Sequence, residues 1–229
     1  MNPSHIFRMT HINNLDTFLA DGFLYAPNYM NQPQYSVSYA QINQFRGNMT
    51  LGNGRALHDY VPFYFSPLTP MAFTISQGNL SLIAPNNTNM GRVTNNDIVF
   101  IGLNLENVYR HGYQYQVSNS ACNNFAFATY DTVQQANINW NLFNEDPYKA
   151  SIHNEGYDGA CRYFHDRDSA PYQNRRAVRG AEFLIADRVD MNHIDFFIVK
   201  NDTIGATLRQ KLANYGLQIP VYVEPDCYY

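Results

Sequence analysis

Glu182 stands alone among apolar neighbours in A-E-F-L-I (181–185), three residues after Arg179 and close behind Arg175 and Arg176. Strand alternation sends Ala181, Phe183 and Ile185 to one face and Glu182 with Leu184 to the other. A carboxylate on a face shared with leucine is either an edge residue reaching water or a cleft residue held for chemistry, because charged groups are seldom buried unless paired. Arg179 is the neighbour best placed to pair with it. Three other positions offer complementary chemistry. Arg46, in Q-I-N-Q-F-R, is either a surface arginine or a planar donor fork folded over a pyrophosphate. Tyr64, between Phe63 and Phe65, is either core or a ring able to stack on a flat heterocycle. His11 falls where a first strand passes into a helix, so it is either a satisfied partly buried histidine or part of a clamp in which unpaired backbone groups hold an amide.

Several other chemistries are excluded. The sequence has no G-x-G-x-x-G on a βα turn, no G-x-x-x-x-G-K-[ST] loop, no G-x-S-x-G elbow and no H-E-x-x-H helix. Its seven histidines never share metal-ligand spacing with each other or with cysteine, so no metal is expected. Cys122, Cys161 and Cys227 are widely spaced and form neither a disulfide framework nor a zinc ribbon, which fits a reducing, cytoplasmic setting. No apolar run approaches a signal peptide or a membrane span, so no membrane partner is expected.

The elements that position these residues follow from pattern and punctuation. HIFRMTH predicts a short strand, and Asn13 or Asn14 caps a helix that carries Leu15, Phe18 and Leu19 and stops at Gly22. Residues 26–57, rich in Asn, Gln, Gly and Tyr, read as a long, partly ordered excursion. Residues 58–75, with three prolines among many aromatics, read as extended segments alternating with rigid turns. DIVFIGLNL, AEFLIA, IDFFIVK and IPVYVEP predict buried strands, with an amphipathic helix (Ile204, Leu208, Leu212, closed by Gly216) between the last two. Few helices and strands at both ends give an α+β class dominated by sheet, in a single domain over residues 1–229.

Composition limits the partners. The 229 residues are 45% hydrophobic and 15% charged, with 18 Tyr and 15 Phe, and the net charge is -4. Such a charge argues against a whole-surface grip on a polyanion. Between Arg162 and Arg188, however, six arginines face four acids, so a local basic face or an ordinary solvated loop both fit there.

Three blocks, T-H-I-N-N-L (10–15), H-D-Y-V-P-F-Y-F-S-P-x-x-P-M (58–71) and V-R-G-A-E-F-L (178–184), occur in an order that resembles the DarT family, toxins of the DarTG toxin–antitoxin systems. The resemblance implies an ADP-ribosyltransferase-like core, a split twisted β-sheet with NAD+ as co-substrate in its cleft. It implies transfer of ADP-ribose to a base of single-stranded DNA, with Glu182 as the catalytic carboxylate and Arg46 touching the phosphates and assisting removal of the base proton. His11, Ile12 and Asn13 would hold the nicotinamide end, with Asn28 and Tyr64 bordering the NAD+ site. Arg175, Arg176 and Arg179 would lie on a loop meeting the DNA. The implied protein partner is a DarG-like macrodomain antitoxin that removes the ADP-ribose. Many thymidine-modifying members carry a histidine in the region that here reads S-N-S-A-C-N-N-F (118–125). Its absence leaves guanosine or thymidine open and tilts the expected target toward guanosine. Transfer to RNA or protein, or a non-catalytic aromatic-rich nucleic-acid-binding module, are the rival readings.

Overall fold

The computed structural model describes residues 3–124 and 126–229. The first two residues of the N-terminal segment, and Phe125 at the end of the 118–125 stretch, lie outside the described residues. Eight strands form one sheet: β1 (His5–His11), β2 (Tyr60–Tyr64), β3 (Ile98–Asn104), β4 (Tyr115–Ser118), β5 (Thr129–Tyr130), β6 (Glu182–Ala186), β7 (Phe196–Val199) and β8 (Val221–Val223). Their order across the sheet is β8-β7-β3-β1-β2-β6-β4-β5. All neighbours run antiparallel except β7 and β8, which are parallel and joined through helix 202–214. This is an α+β fold with a large twisted sheet and few helices.

The near-continuous apolar run of β3 is explained by burial on both faces. Val99, Ile101 and Leu103 enter one core layer, while Ile98 and Phe100 enter the other. Gly102 is required by its neighbour: a Cβ there would lie 2.2 Å from the Phe196 ring. Helix 202–214 buries Ile204, Leu208 and Leu212, is capped by the Asn201 side chain accepting from the Ile204 N–H at 3.1 Å, and is followed by Gly216 at φ +70°.

The sheet parts in its middle. β1 pairs with β3 along all seven of its residues but meets β2 at one register position, Phe7 opposite Tyr64. Beyond that point Arg8 bridges the opening, its Nη1 donating to the Pro62 carbonyl at 3.2 Å. Pro62 suits this side of β2, since a strand residue points its N–H and C=O the same way and proline has no N–H to leave unpaired.

The excursion at 26–57 is pinned rather than loose. The Asn14 side chain brackets the Tyr35 backbone, accepting from its N–H at 2.8 Å and donating to its C=O at 2.9 Å, and Ser36 bridges to Ile83. Its helix, Ala40–Gly47, buries no residue of its own. In 58–75 the structure differs from the sequence expectation, because Pro70–Ser76 is a helix. Thr69 caps it, accepting from the Ala72 N–H at 3.1 Å, and Pro70 sits at the first helical position, where a missing N–H costs nothing.

Candidate active site

Glu182 opens β6 and lies opposite Tyr64. The alternation is as expected, with Phe183 and Ile185 in the main core and Leu184 and Ala186 packed on the other face. Glu182 is 1% exposed and is a cleft residue, not an edge residue. Its carboxylate takes both ends of the Arg46 fork, Nη1 to Oε1 at 2.7 Å and Nη2 to Oε2 at 2.9 Å. Oε1 also accepts the Cys122 N–H at 3.2 Å. The Glu182 N–H donates to Ser118 Oγ at 2.8 Å, and that hydroxyl donates on to the Ser120 carbonyl at 2.7 Å. A bidentate guanidinium–carboxylate pair fixes aim as well as charge. Burial alone would lower the Arg46 pKa, but the Glu182 charge and hydrogen bonds hold it above the ordinary guanidinium value. This arrangement favours the charged form of Arg46.

The expected Arg179 partner for Glu182 is replaced by Arg46, and the expected DNA contacts of Arg175 and Arg179 do not fit the structure. Arg179 is 1% exposed and donates to the carbonyls of Cys161, Tyr163 and Leu68 at 2.9, 2.8 and 2.7 Å. Arg175 is wholly buried, donating to Glu145 at 2.8 Å and to the Cys161 thiol at 3.1 Å. Both brace the 160–180 loop from inside. The reason is helical spacing: Arg175–Val178 forms a short helix, so positions 175 and 179 share its inner face and Arg176 points the other way. Of the three, Arg176 alone is exposed and borders the cavity.

That cavity, about 620 Å³, opens at the parting of β1 and β2 and is bordered by His11, Arg46, Tyr64, Arg176 and Glu182 among the expected residues. His11 is 3% exposed and stacks on Tyr35, ring centroids 5.0 Å apart. Its Nδ1 accepts the Asn13 N–H at 3.2 Å, which assigns any proton to Nε2, and burial lowers its pKa. Tyr64 stays a neutral phenol, its pKa raised by burial and then by the Glu182 charge.

Ile12, Asn13 and Asn28 do not border the cavity. The Ile12 N–H donates to the Asp97 carbonyl at 2.8 Å and the Asn13 N–H is taken by His11, so the expected backbone clamp is already occupied. Asn28 donates to Asp59 at 2.8 Å. Sequence reasoning missed Asn14, Tyr35, Ser118, Cys122 and Arg8. A buried asparagine in a helix's first turn could have flagged Asn14, whereas no local signal marks the others. The 118–125 stretch, notable for its lack of histidine, supplies the hydroxyl and N–H that orient Glu182.

Split sheet, cleft and strand-borne carboxylate together define the class, an α+β protein with a buried carboxylate–guanidinium site at the parting of its central sheet. The family model described as "ssDNA thymidine ADP-ribosyltransferase, DarT" matches residues 7–229, and the chain belongs to that family. A DNA ADP-ribosyl transferase of Thermus sp. (strain 2.9) is 42% identical over 78 residues, 33% of this chain and 37% of the relative. The matched stretch thus spans well under two thirds of that relative. The structure of Thermus sp. 2.9 DarT in complex with ADP-ribosylated ssDNA superposes with a TM-score of 0.81 at 22% identity, covering 100% of this chain and 98% of that one. In complex with NAD+, the same DarT gives 0.76 at 21% identity, covering 100% and 99%. Thermosipho africanus DarTG in complex with ADP-ribose gives 0.66 at 15% identity, covering 99% of this chain and 51% of that one.

Proposed function

We propose that this chain, acting as one domain in the cytoplasm, transfers ADP-ribose from NAD+ to thymidine in single-stranded DNA and releases nicotinamide. Family membership supports the reaction class, and the family's description names thymidine. The sequence tilt toward guanosine rested on one missing histidine and carries less weight than that match.

The observation that carries the reading is the acceptor count on Glu182. A carboxylate has about four lone-pair sites. Three are taken, two by Arg46 and one by the Cys122 N–H. Among the described residues the site left, on Oε2, is open to a ribose 2′-hydroxyl, with the weakly donating Cys122 thiol the competitor for this carboxylate. When the nicotinamide–ribose bond breaks, its electron pair leaves with nicotinamide and positive charge grows on the ribose. A buried carboxylate bonded to the neighbouring hydroxyl stabilises that charge, and its seat on a central strand fixes its aim. A ring nitrogen of the base then attacks the same carbon, forming the new N–C bond as its proton passes to solvent water. Arg46 acts electrostatically, pairing with the Glu182 carboxylate and fixing its orientation. His11 and Tyr35 offer the flat wall for the nicotinamide ring, and Tyr64 the neighbouring wall.

The co-substrate fits what is present: the cavity is of ligand-site size, aromatic-walled and cationic. The acceptor edge of a base is hidden by pairing, so the polymer substrate is unpaired. Arg176, Asn123 and Asn124 at the cavity edge suit a short grip on it. A macrodomain antitoxin that reverses the modification is the implied partner, in keeping with the DarTG likeness.

Incubation with labelled NAD+ and separate thymidine-containing single strands, thymidine-free guanosine strands, RNA and protein tests the reading. Label is expected in the thymidine strand and is expected to fall by at least about 10²-fold in Glu182→Gln. Label only in guanosine strands overturns the base, and label only in RNA or protein overturns the polymer.

A further inference from the structure

A second cavity, about 600 Å³, lies on the face of the sheet opposite Glu182. Leu105, Val133 and Ile138 border it and belong to the main core. Two aromatic rings wall it, and both are joined to that core. Trp140 meets Phe65 edge-on at 5.1 Å, and Tyr109 lies 6.5 Å from Phe183. Phe65 and Phe183 follow Tyr64 and Glu182 in the chain and enter the main core, so the cavity backs onto the strands that carry the site.

Its chemistry is the reverse of the first cavity's. There, three arginines, 8, 46 and 176, border the space with one carboxylate. Here, among the described residues, no lysine, arginine or histidine borders it, and the single charge is Glu106. Glu106 is exposed and enters no ion pair among the described residues. A phosphate placed here would face that carboxylate with no cation to offset it. The remaining polar groups are the exposed amides of Gln134 and Asn137. Asn137 is held at φ +46°, a left-handed conformation that asparagine tolerates better than most residues.

We propose that this cavity is a second site, for an uncharged purine nucleoside, of which adenosine is the fitting case. The volume falls within the roughly 300–1,000 Å³ of small-ligand sites. The base lies against the Trp140 and Tyr109 walls, as bases do on aromatic side chains. Gln134 and Asn137 supply the donor and acceptor pair that matches the adenine edge. Glu106 accepts from the ribose hydroxyls, the role a carboxylate takes in dinucleotide sites. Nothing in this site depends on the reaction at Glu182.

The chain has one tryptophan, so Trp140 emission, excited where nucleosides do not absorb, reports this cavity directly. Adenosine and AMP are titrated into the wild-type protein, Tyr109→Ala and Glu106→Gln. Adenosine is expected to change the emission saturably at millimolar concentration or below. AMP, which brings a phosphate beside Glu106, is expected to bind at least about 10-fold more weakly. Tyr109→Ala is expected to weaken adenosine by about 10- to 100-fold through lost stacking. Glu106→Gln is expected to narrow the gap between adenosine and AMP. Both positions are exposed, and thermal melting checks that both variants fold; should Tyr109→Ala fail to fold, the gap in Glu106→Gln decides the matter. No saturable change with adenosine, AMP binding as tightly as adenosine, or titrations unaltered in both variants would each overturn the proposal.

Discussion

Arg46 and Glu182 are 136 positions apart in the chain, yet their side chains meet in a two-point contact at 2.7 and 2.9 Å. Nothing local to either residue encodes the pairing: it arises because the excursion folds back over the sheet. Glu182, His11, Tyr64 and Arg46 were legible as candidates because each is a chemically capable residue in a distinctive block. Ile12, Asn13 and Asn28 were legible only as neighbours, and their hydrogen bonds are spent inside the protein. Histidine chemistry also yields a pH dependence. Burial lowers the pKa of His5, His11 and His58 below the ordinary 6.5, with Arg46 adding to the effect at His58. The fold therefore prefers their neutral forms. The unfolded chain takes up protons first as pH falls through about 6.5, so the stability contributed by these residues is present above that value and is lost progressively below it. Chemical denaturation midpoints at pH 7.5 and pH 5.5 check this, with a lower midpoint expected at pH 5.5. His11→Gln is expected to flatten part of the difference, and an unchanged slope assigns it to the other two.

The excursion from 26 to 57 is the element on which the site depends most, because it delivers both Tyr35 and Arg46. Its helix has no fully buried residue, and while Leu51 and Leu57 anchor the C-terminal end of the excursion in a small apolar cluster, the stretch that carries Tyr35 and Arg46 is tied by polar contacts that include the Arg46–Glu182 pair, the Ser36–Ile83 bridge and the double bond from Asn14 to the Tyr35 backbone. Asn14→Ala removes that last tie. Losing two hydrogen bonds at a partly buried site is expected to cost about 1–3 kcal/mol, mostly as local loosening. Hydrogen exchange should accelerate in residues 33–47 and stay unchanged in 98–104. Acceleration spread evenly over both segments would make Asn14 a general core residue instead. Sequence pattern had identified the strands at 98–104, 182–186, 196–199 and 221–223 and the 202–214 helix, because their apolar periodicity matches the layer they enter. The helix at 70–76 escaped it. Three prolines read as a barrier, although one of them occupies the first helical turn, where proline is compatible. The order of strands was not legible at all, since it is set by contacts distant in sequence.

Across the whole molecule, arginines serve two opposed purposes, and position on one short helix separates them. The chain carries a net charge of -4, so a polyanion finds no general attraction and any grip must be local. The arginine-rich 162–188 window suggested a basic face, yet two of its members point inward. Arg179 satisfies three carbonyls that have no solvent nearby, and its guanidinium lies 4.7 Å over the Phe143 ring. Arg176 is exposed beside the cavity. The two therefore respond differently to the same substitution. Arg179→Ala leaves buried acceptors unpaired and is expected to cost about 2–5 kcal/mol, a melting-temperature drop of roughly 5–15 °C for a chain of this length. Arg176→Ala is expected to leave the melting temperature essentially unchanged. If Arg176 grips one phosphate as proposed, the slope of log affinity for a single-stranded oligonucleotide against log salt should fall in magnitude by about 0.7 in this variant. Thermal melting and a salt titration of oligonucleotide binding on both variants separate the two roles. The opposite pattern, a stable Arg179→Ala with impaired DNA binding beside an unaffected Arg176→Ala, would return the buried pair to the DNA-facing surface and move the interface away from the cavity edge.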